Sequence, residues 1–184
     1  DKLFLSPTLS FTDSTDLQRI VENLTENREN QFEGLMVKKK ASEYVSGRPK
    51  GEWFKWKKEP HLVDAVLMYA QRGHGKRSSF YSDYTFGLWD EGNLLPIGKA
   101  YFGFTDEELG LLDKWVRNNT VERFGPVRGV EPGLVLEIAF DSVHISNRHK
   151  SGLALRFPRV NRVRWDKSAD YADHIGILKD LVVN

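Results

Sequence analysis

A lysine or arginine is almost never buried without a charged partner, so a segment that alternates basic and β-branched residues is confined to a strand with one wet, basic side. The run Arg156-Phe157-Pro158-Arg159-Val160-Asn161-Arg162-Val163-Arg164-Trp165-Asp166-Lys167 is such a segment. Arg162 and Arg164 flank Val163, so both guanidinium groups face one side while the valine packs behind them. An arginine fork grips a phosphate through two bonds, and Asp166 is placed to orient a neighbouring arginine or lysine through a charge-assisted bond. A basic strand without a ligand is the competing reading.

A second segment repeats the pattern. In Trp53-Phe54-Lys55-Trp56-Lys57-Lys58, Lys55 and Lys57 share a side with Trp53, and Phe54 and Trp56 are expected to pack on the other. Paired lysines fit a polyphosphate; an edge strand with a wet basic side fits equally. The formal net charge of +1 conceals this clustering. Between Glu33 and Lys58 eight basic residues face three acids, and between Asn147 and Lys167 seven face one. Two basic clusters interleaved with aromatic or apolar residues favour a groove that meets phosphate. Upstream, Glu33 has the chemistry for a hard divalent metal and Lys38 for a phosphate, although a solvent-facing pair is the ordinary reading of these two. The loop Arg72-Gly73-His74-Gly75-Lys76-Arg77 adds glycines beside basic groups but lacks the residue order of a P-loop.

These segments are placed on a mixed α/β framework. Leu17, Ile20, Val21 and Leu24 predict an amphipathic helix within residues 12–30, with Thr12 or Ser14 as its cap. Strands are expected at 34–38, 53–57, 61–69, 84–89 and 134–140. Glu59-Pro60 interrupts the pattern and marks a domain junction, giving expected domains at 1–58 and 59–184. Thr105-Asp106-Glu107-Glu108 reads as the start of a helix running toward Asn118, and Ile175, Leu178 and Val182 predict another within 171–182. The second domain is therefore expected to be a small barrel with one inserted helix. The absence of cysteine excludes disulfides, thiolate-ligated metals and a cysteine nucleophile. No apolar run is long enough to span a bilayer and the start lacks the organisation of a secretory signal, so no membrane partner is expected and the cytosol is the expected location.

The order of these motifs resembles the covalent nucleotidyltransferases, in particular the ATP-dependent DNA ligases. Glu33-Gly34-Leu35-Met36-Val37-Lys38 is similar to ligase motif IV, Trp53 to Lys58 to motif V, and Arg156 to Lys167 to the motif VI pattern RFPRxxRxRxDK. Gly73 to Arg77 resembles the GxGKR turn near the start of the ligase OB domain. The resemblance implies the end of a nucleotidyltransferase domain followed by an OB-fold β-barrel. Under it, Glu33 positions metal, Lys38, Lys55 and Lys57 meet the nucleotide, and Arg162, Arg164 and Lys167 engage the pyrophosphate leaving group, with Asp166 at the family's acidic position. Glu59 falls at the hinge position.

The resemblance further implies ATP and magnesium, with nicked double-stranded DNA as partner and DNA-repair proteins as further ones. Motif I, KxDG, carries the nucleophilic lysine in this family, and no such sequence occurs here. The expectation is a C-terminal part that needs the N-terminal part of its adenylation domain and is inactive alone. The alternatives are a fragment of an RNA ligase or capping guanylyltransferase, which share motifs IV and V, and a noncatalytic OB module that binds nucleic acid by stacking and backbone charge.

Overall fold

A computed structural model describes residues 7–26, 34–73, 79–101 and 105–182. Glu33 and the His74-Gly75-Lys76-Arg77 part of the basic loop lie outside the described residues. The chain divides into two compact units, Asp1–Glu59 and Pro60–Asn184.

In the first unit, α1 spans Ser14–Glu26. Its cap is Asp13 rather than Thr12 or Ser14. The Asp16 amide donates to the Asp13 carboxylate at 2.9 Å, and the Thr12 amide donates back to Asp16 at 3.2 Å. A charged carboxylate at this position satisfies an orphan amide and opposes the positive end of the helix dipole. Residues 27–30 of the expected helix lie outside the described residues. Strands β1 (Gly34–Lys38) and β2 (Trp53–Lys57) pair antiparallel, as their alternation predicts. Phe54 departs from its expected packing and is exposed.

The second unit is built on a sheet of seven strands. In chain order its elements are β3 (His61–Arg72), β4 (Tyr81–Asp90), β5 (Asn93–Tyr101), α2 (Asp106–Asn118), β6 (Thr120–Phe124), β7 (Val127–Val130), β8 (Val135–Phe140), β9 (Ser142–Ile145), β10 (Leu153–Arg156), β11 (Arg159–Arg164) and α3 (Gly176–Lys179). Strand β3 pairs with β4, β4 with β5, β5 with β11, β11 with β8, and β8 returns to β3. The result is a ring of strands in which β5 and β11 meet in parallel through Tyr101 and Arg159 alone. β6 and β7 extend the sheet beyond β3, and β9 pairs with β10 separately.

Alternation fills the ring's interior with Val63, Ala65 and Leu67 from β3, Tyr84 and Phe86 from β4, and Leu136, Ile138 and Phe140 from β8. Helix α2 connects β5 to β6 and turns Leu109, Leu112 and Val116 into the same core. It starts as its sequence predicts: the Thr105 hydroxyl accepts the Glu108 amide, and the Glu108 carboxylate accepts the Thr105 amide at 3.0 Å. Strand β5 escaped the sequence reading because Pro96 removes a ladder donor. A bulge in β5, with Ile97 as the extra residue opposite Phe86 and Gly87, accommodates that proline by placing Gly87 opposite it. A Cβ on Gly87 would lie 2.6 Å from the Leu95 carbonyl oxygen, so the bulge needs glycine there.

The C-terminal segment corrects an expectation. In place of one helix across 171–182 there is a 3₁₀ turn at Ala169–Tyr171, an extended stretch, and the single helical turn α3. The extended stretch lies beside β4, where the Trp89 carbonyl accepts the Ile175 amide at 2.9 Å and the Trp89 indole donates to the Ala169 carbonyl at 2.7 Å. Those tertiary bonds replace the helical ones that the spacing predicted, while Ile175 and Leu178 still reach the core. Ala169 and Ala172 cover Val66 and Val135, which belong to the opposite side of their strands from Leu67 and Leu136. No helix among the described residues is long and apolar enough to cross a membrane.

Candidate functional site

The central strand β8 is buried at every position, because its inner side faces the core and its outer side is also covered. Glu137 is on that outer side with Val135 and Ala139. Sheet register places Asp64 of β3 directly across from Glu137 on one flank, and Arg162 of β11 across from it on the other. Arg164 is across from Val135 on the same side. Two adjacent carboxylates on one sheet face repel each other unless cations are supplied. Arg162, Arg164 and Lys167 supply them.

Arg164 is the centre of the cluster. Its Nη1 donates to Asp64 Oδ2 at 2.9 Å and stands 3.8 Å from Glu137 Oε2. Its Nε and Nη2 donate to the Asp166 carboxylate at 3.0 and 2.9 Å, a two-pronged pair. Lys167 Nζ donates to the same Asp64 Oδ2 at 2.7 Å. Arg162 Nη2 donates to Glu137 Oε2 at 2.9 Å, and Asn161 Nδ2 to Glu137 Oε1 at 2.6 Å. A bulge between Val160 and Arg162 lets two successive side chains reach one carboxylate, while Val163 packs against the core as its parity predicts. Arg162 keeps 59% of its side chain exposed, against 19% for Arg164 and 22% for Lys167, so it is the most accessible of the three cations.

Electrostatics follow from these bonds. Burial pushes the Glu137 carboxyl upward, but the hydrogen bonds from Asn161 and Arg162 and the charges of Arg162 and Arg164 outweigh it, leaving the pKa below the usual value. The Arg164 hydrogen bond holds Asp166 down at about 2, and the same bond raises Arg164 above its already high value. Nearby, Phe157 has φ of 52° and is exposed, with the Arg156 guanidinium 5.2 Å from its ring centre.

The first unit carries the other basic group. Pairing of Lys38 with Trp53, Met36 with Lys55 and Gly34 with Lys57 places the three lysines on one face of β1 and β2. Lys38 Nζ lies 4.2 Å from the centre of the Trp53 ring, and the Trp53 indole donates to Ser42 Oγ at 2.7 Å. Lys55 and Lys57 have no acidic partner among the described residues. Gly34 has φ of 151°, and a Cβ there would collide with the Trp56 carbonyl oxygen, which explains glycine at this position. Among the described residues no group of three or more histidine, aspartate or glutamate side chains converges on a metal position.

Four members of the second unit's cluster were legible in the sequence: Arg162, Arg164, Asp166 and Lys167. Their partners Asp64, Glu137 and Asn161 were not singled out, nor was Asp173, whose carboxylate accepts the Asp64 amide. The only local signal was a carboxylate at an alternating position of an apolar strand, at Asp64 and again at Glu137.

The family of ATP-dependent DNA ligase C-terminal regions matches residues 77–167, which include this cluster's β8 and β11 residues. A probable DNA ligase of Koribacter versatilis is 47% identical over 146 residues, covering 79% of this chain and 25% of the relative. A probable DNA ligase of Opitutus terrae is 43% identical over 157 residues, covering 84% of this chain and 15% of the relative. The chain thus spans a quarter or less of the length of these relatives. The crystal structure of the ligase domain from M. tuberculosis LigD shares the fold with a TM-score of 0.53 at 21% identity, covering 83% of this chain and 50% of that one. The chain carries a C-terminal ligase domain homologous to those of the ATP-dependent DNA ligases, in the nucleotidyltransferase superfamily.

Proposed function

We propose that this chain is the C-terminal part of an ATP-dependent DNA ligase that seals nicks in double-stranded DNA through enzyme-AMP and AMP-DNA intermediates. Residues 1–58 form the end of the nucleotidyltransferase domain, and residues 59–184 an OB domain with α2 inserted between its third and fourth barrel strands. Lys38, Lys55 and Lys57 meet the nucleotide. Arg162, Arg164 and Lys167 act as a lid on the triphosphate, with Asp166 orienting Arg164. ATP is the substrate that these cations receive. Glu33 is the residue assigned to magnesium, and the described residues add no carboxylate cage to it.

The observation that carries this reading is the convergence of Arg164 Nη1 and Lys167 Nζ on one Asp64 oxygen, at 2.9 and 2.7 Å. A single anionic atom already draws both cations to one point, as a pyrophosphate oxygen would. Fixed positive groups stabilise the charge that develops on a departing pyrophosphate, and their prior placement removes the reorganisation cost. The chain holds no KxDG sequence, so the lysine that accepts AMP belongs to the part of the adenylation domain that precedes these residues in the full-length enzyme.

The test compares two steps in the full-length enzyme by single-turnover kinetics. Arg164→Ala should slow formation of enzyme-AMP by about 100-fold, the cost of removing one preorganised donor. Sealing of a nick already carrying AMP should change little, since no pyrophosphate is present in that step. Equal losses at both steps would replace the lid by a general DNA-binding or folding role.

A further inference from the structure

Asp64 occupies a position where the fold alone favours an apolar side chain. Its neighbours on the outer side of β3 and β8 are all apolar: Val66, Val135 and Ala139 are buried, and Leu62, toward the start of β3, is exposed. Directly opposite is another carboxylate, Glu137. Asp64 Oδ1 is buried and has no hydrogen-bond partner among the described residues. An orphaned carboxylate oxygen and a like-charged neighbour both oppose folding, and a buried ion pair is often replaceable by apolar residues without loss of stability.

What the carboxylate provides is placement. Oδ2 receives Arg164 from β11 and Lys167 from the turn beyond it, and so ties two cations of different reach to one atom. Asp64 is itself fixed from behind. Its amide donates to Asp173 Oδ2 at 2.8 Å, and the Asp173 amide donates to the Asp64 carbonyl at 2.9 Å. Arg164's other carboxylate behaves differently: the Asp166 side chain is 68% exposed and has room to leave, whereas that of Asp64 is 12% exposed. When an anion arrives, the Nε–Nη2 edge of Arg164 is therefore the edge that can exchange, with Nη1 still held.

We propose that Asp64 is a positioning residue for the triphosphate-receiving cations: it holds Arg164 Nη1 and Lys167 Nζ together, so that both are presented to the leaving pyrophosphate as one unit. This rests on the reading of the cluster as the adenylation lid. A side chain that fixes a catalytic group contributes through geometry, and a shift of about 1 Å in that group costs up to about 100-fold in rate.

The experiment uses the full-length enzyme and measures enzyme-AMP formation against ATP concentration, sealing of a pre-adenylated nick, and thermal melting. Asp64→Asn keeps the volume and removes the charge; adenylation should fall on the order of 10-fold, with sealing within about twofold of the parent. Asp64→Glu keeps the charge that balances the cations but displaces the carboxylate, and should show a smaller loss confined to adenylation. In a Lys167→Ala, Arg164→Ala background, Asp64→Asn should have no further effect on adenylation, because nothing remains for it to place. Adenylation at the parental rate in Asp64→Asn, equal losses at both steps, or full additivity in that background would overturn the proposal. If Arg164→Ala shows no preference for adenylation, the lid reading fails and takes this proposal with it. A selective Arg164→Ala beside a silent Asp64→Asn refutes the positioning role alone.

Discussion

Asp64 and Glu137 lie directly across from each other on β3 and β8, two carboxylates on one covered sheet face. Their proximity is tolerable because Arg164 Nη1 stands 2.9 Å from one and 3.8 Å from the other. The basic strand that the sequence presents as a ligand surface is thus balanced by acids within its own domain.

Glu137→Gln should lower the unfolding free energy by about 1 kcal/mol, the net worth of a charge-assisted hydrogen bond on a partly solvated arginine. Urea denaturation monitored by tryptophan fluorescence measures it. A gain in stability would show that repulsion from Asp64 outweighs the bonds from Asn161 and Arg162.

Acid should break the Glu137–Arg162 and Asp166–Arg164 pairs only below the usual carboxylate range. Glu137 and Asp166 both have folded pKa values below their usual ones, so each adds stability that is present above the unfolded carboxylate pKa and lost as pH falls through the folded value. For Asp166 the window runs from about 3.8 down to about 2. Carboxyl carbon shifts followed by NMR titration should give an Asp166 midpoint near 2 in the parent protein, returning toward 3.8 in Arg164→Ala. An unchanged midpoint would show that the Arg164 pair does not set the titration.

Lys55→Ala with Lys57→Ala should slow both adenylation and sealing in the full-length enzyme, because the proposed nucleotide pocket holds AMP throughout. A loss of about 100-fold at the first step is the scale for fixed charges on a phosphoryl group. Single-turnover rates at each step provide the check, and normal values for both would remove the two lysines from the pocket.

Gly34→Ala should disrupt the pairing of β1 with β2, since the new Cβ meets the Trp56 carbonyl oxygen and the φ of 151° suits only glycine. The cost of about 1–3 kcal/mol is that of one strained backbone position. Amide exchange at Trp56 and Lys57 should accelerate, whereas exchange in β3 and β8 should not.

Local periodicity made several elements legible without coordinates. β1 and β2 end where their alternation ends, and the Thr105–Glu108 capping box fixes the start of α2. The helix cap at Asp13 was misplaced by one residue because Thr12, Asp13 and Ser14 all have capping side chains, and only the chain's path selects among them. Strand β5 was hidden by Pro96, which a bulge at Ile97 of the same strand accommodates. The C-terminal helical pattern was real as a burial pattern and wrong as a backbone, since Trp89 captured the hydrogen bonds.

The sequence by itself determined which residues carry the basic charge, that Val163 packs behind Arg162 and Arg164, and that Lys55 and Lys57 share a face. These are consequences of a two-residue period, which needs no knowledge of neighbours. Only the tertiary structure decided where that charge goes. Asp64 is a hundred residues from Arg164 in the chain, and the two meet because β8 pairs with β3 on one edge and with β11 on the other. Ion pairing across a sheet depends on register between strands, and register is set by the packing of the whole ring.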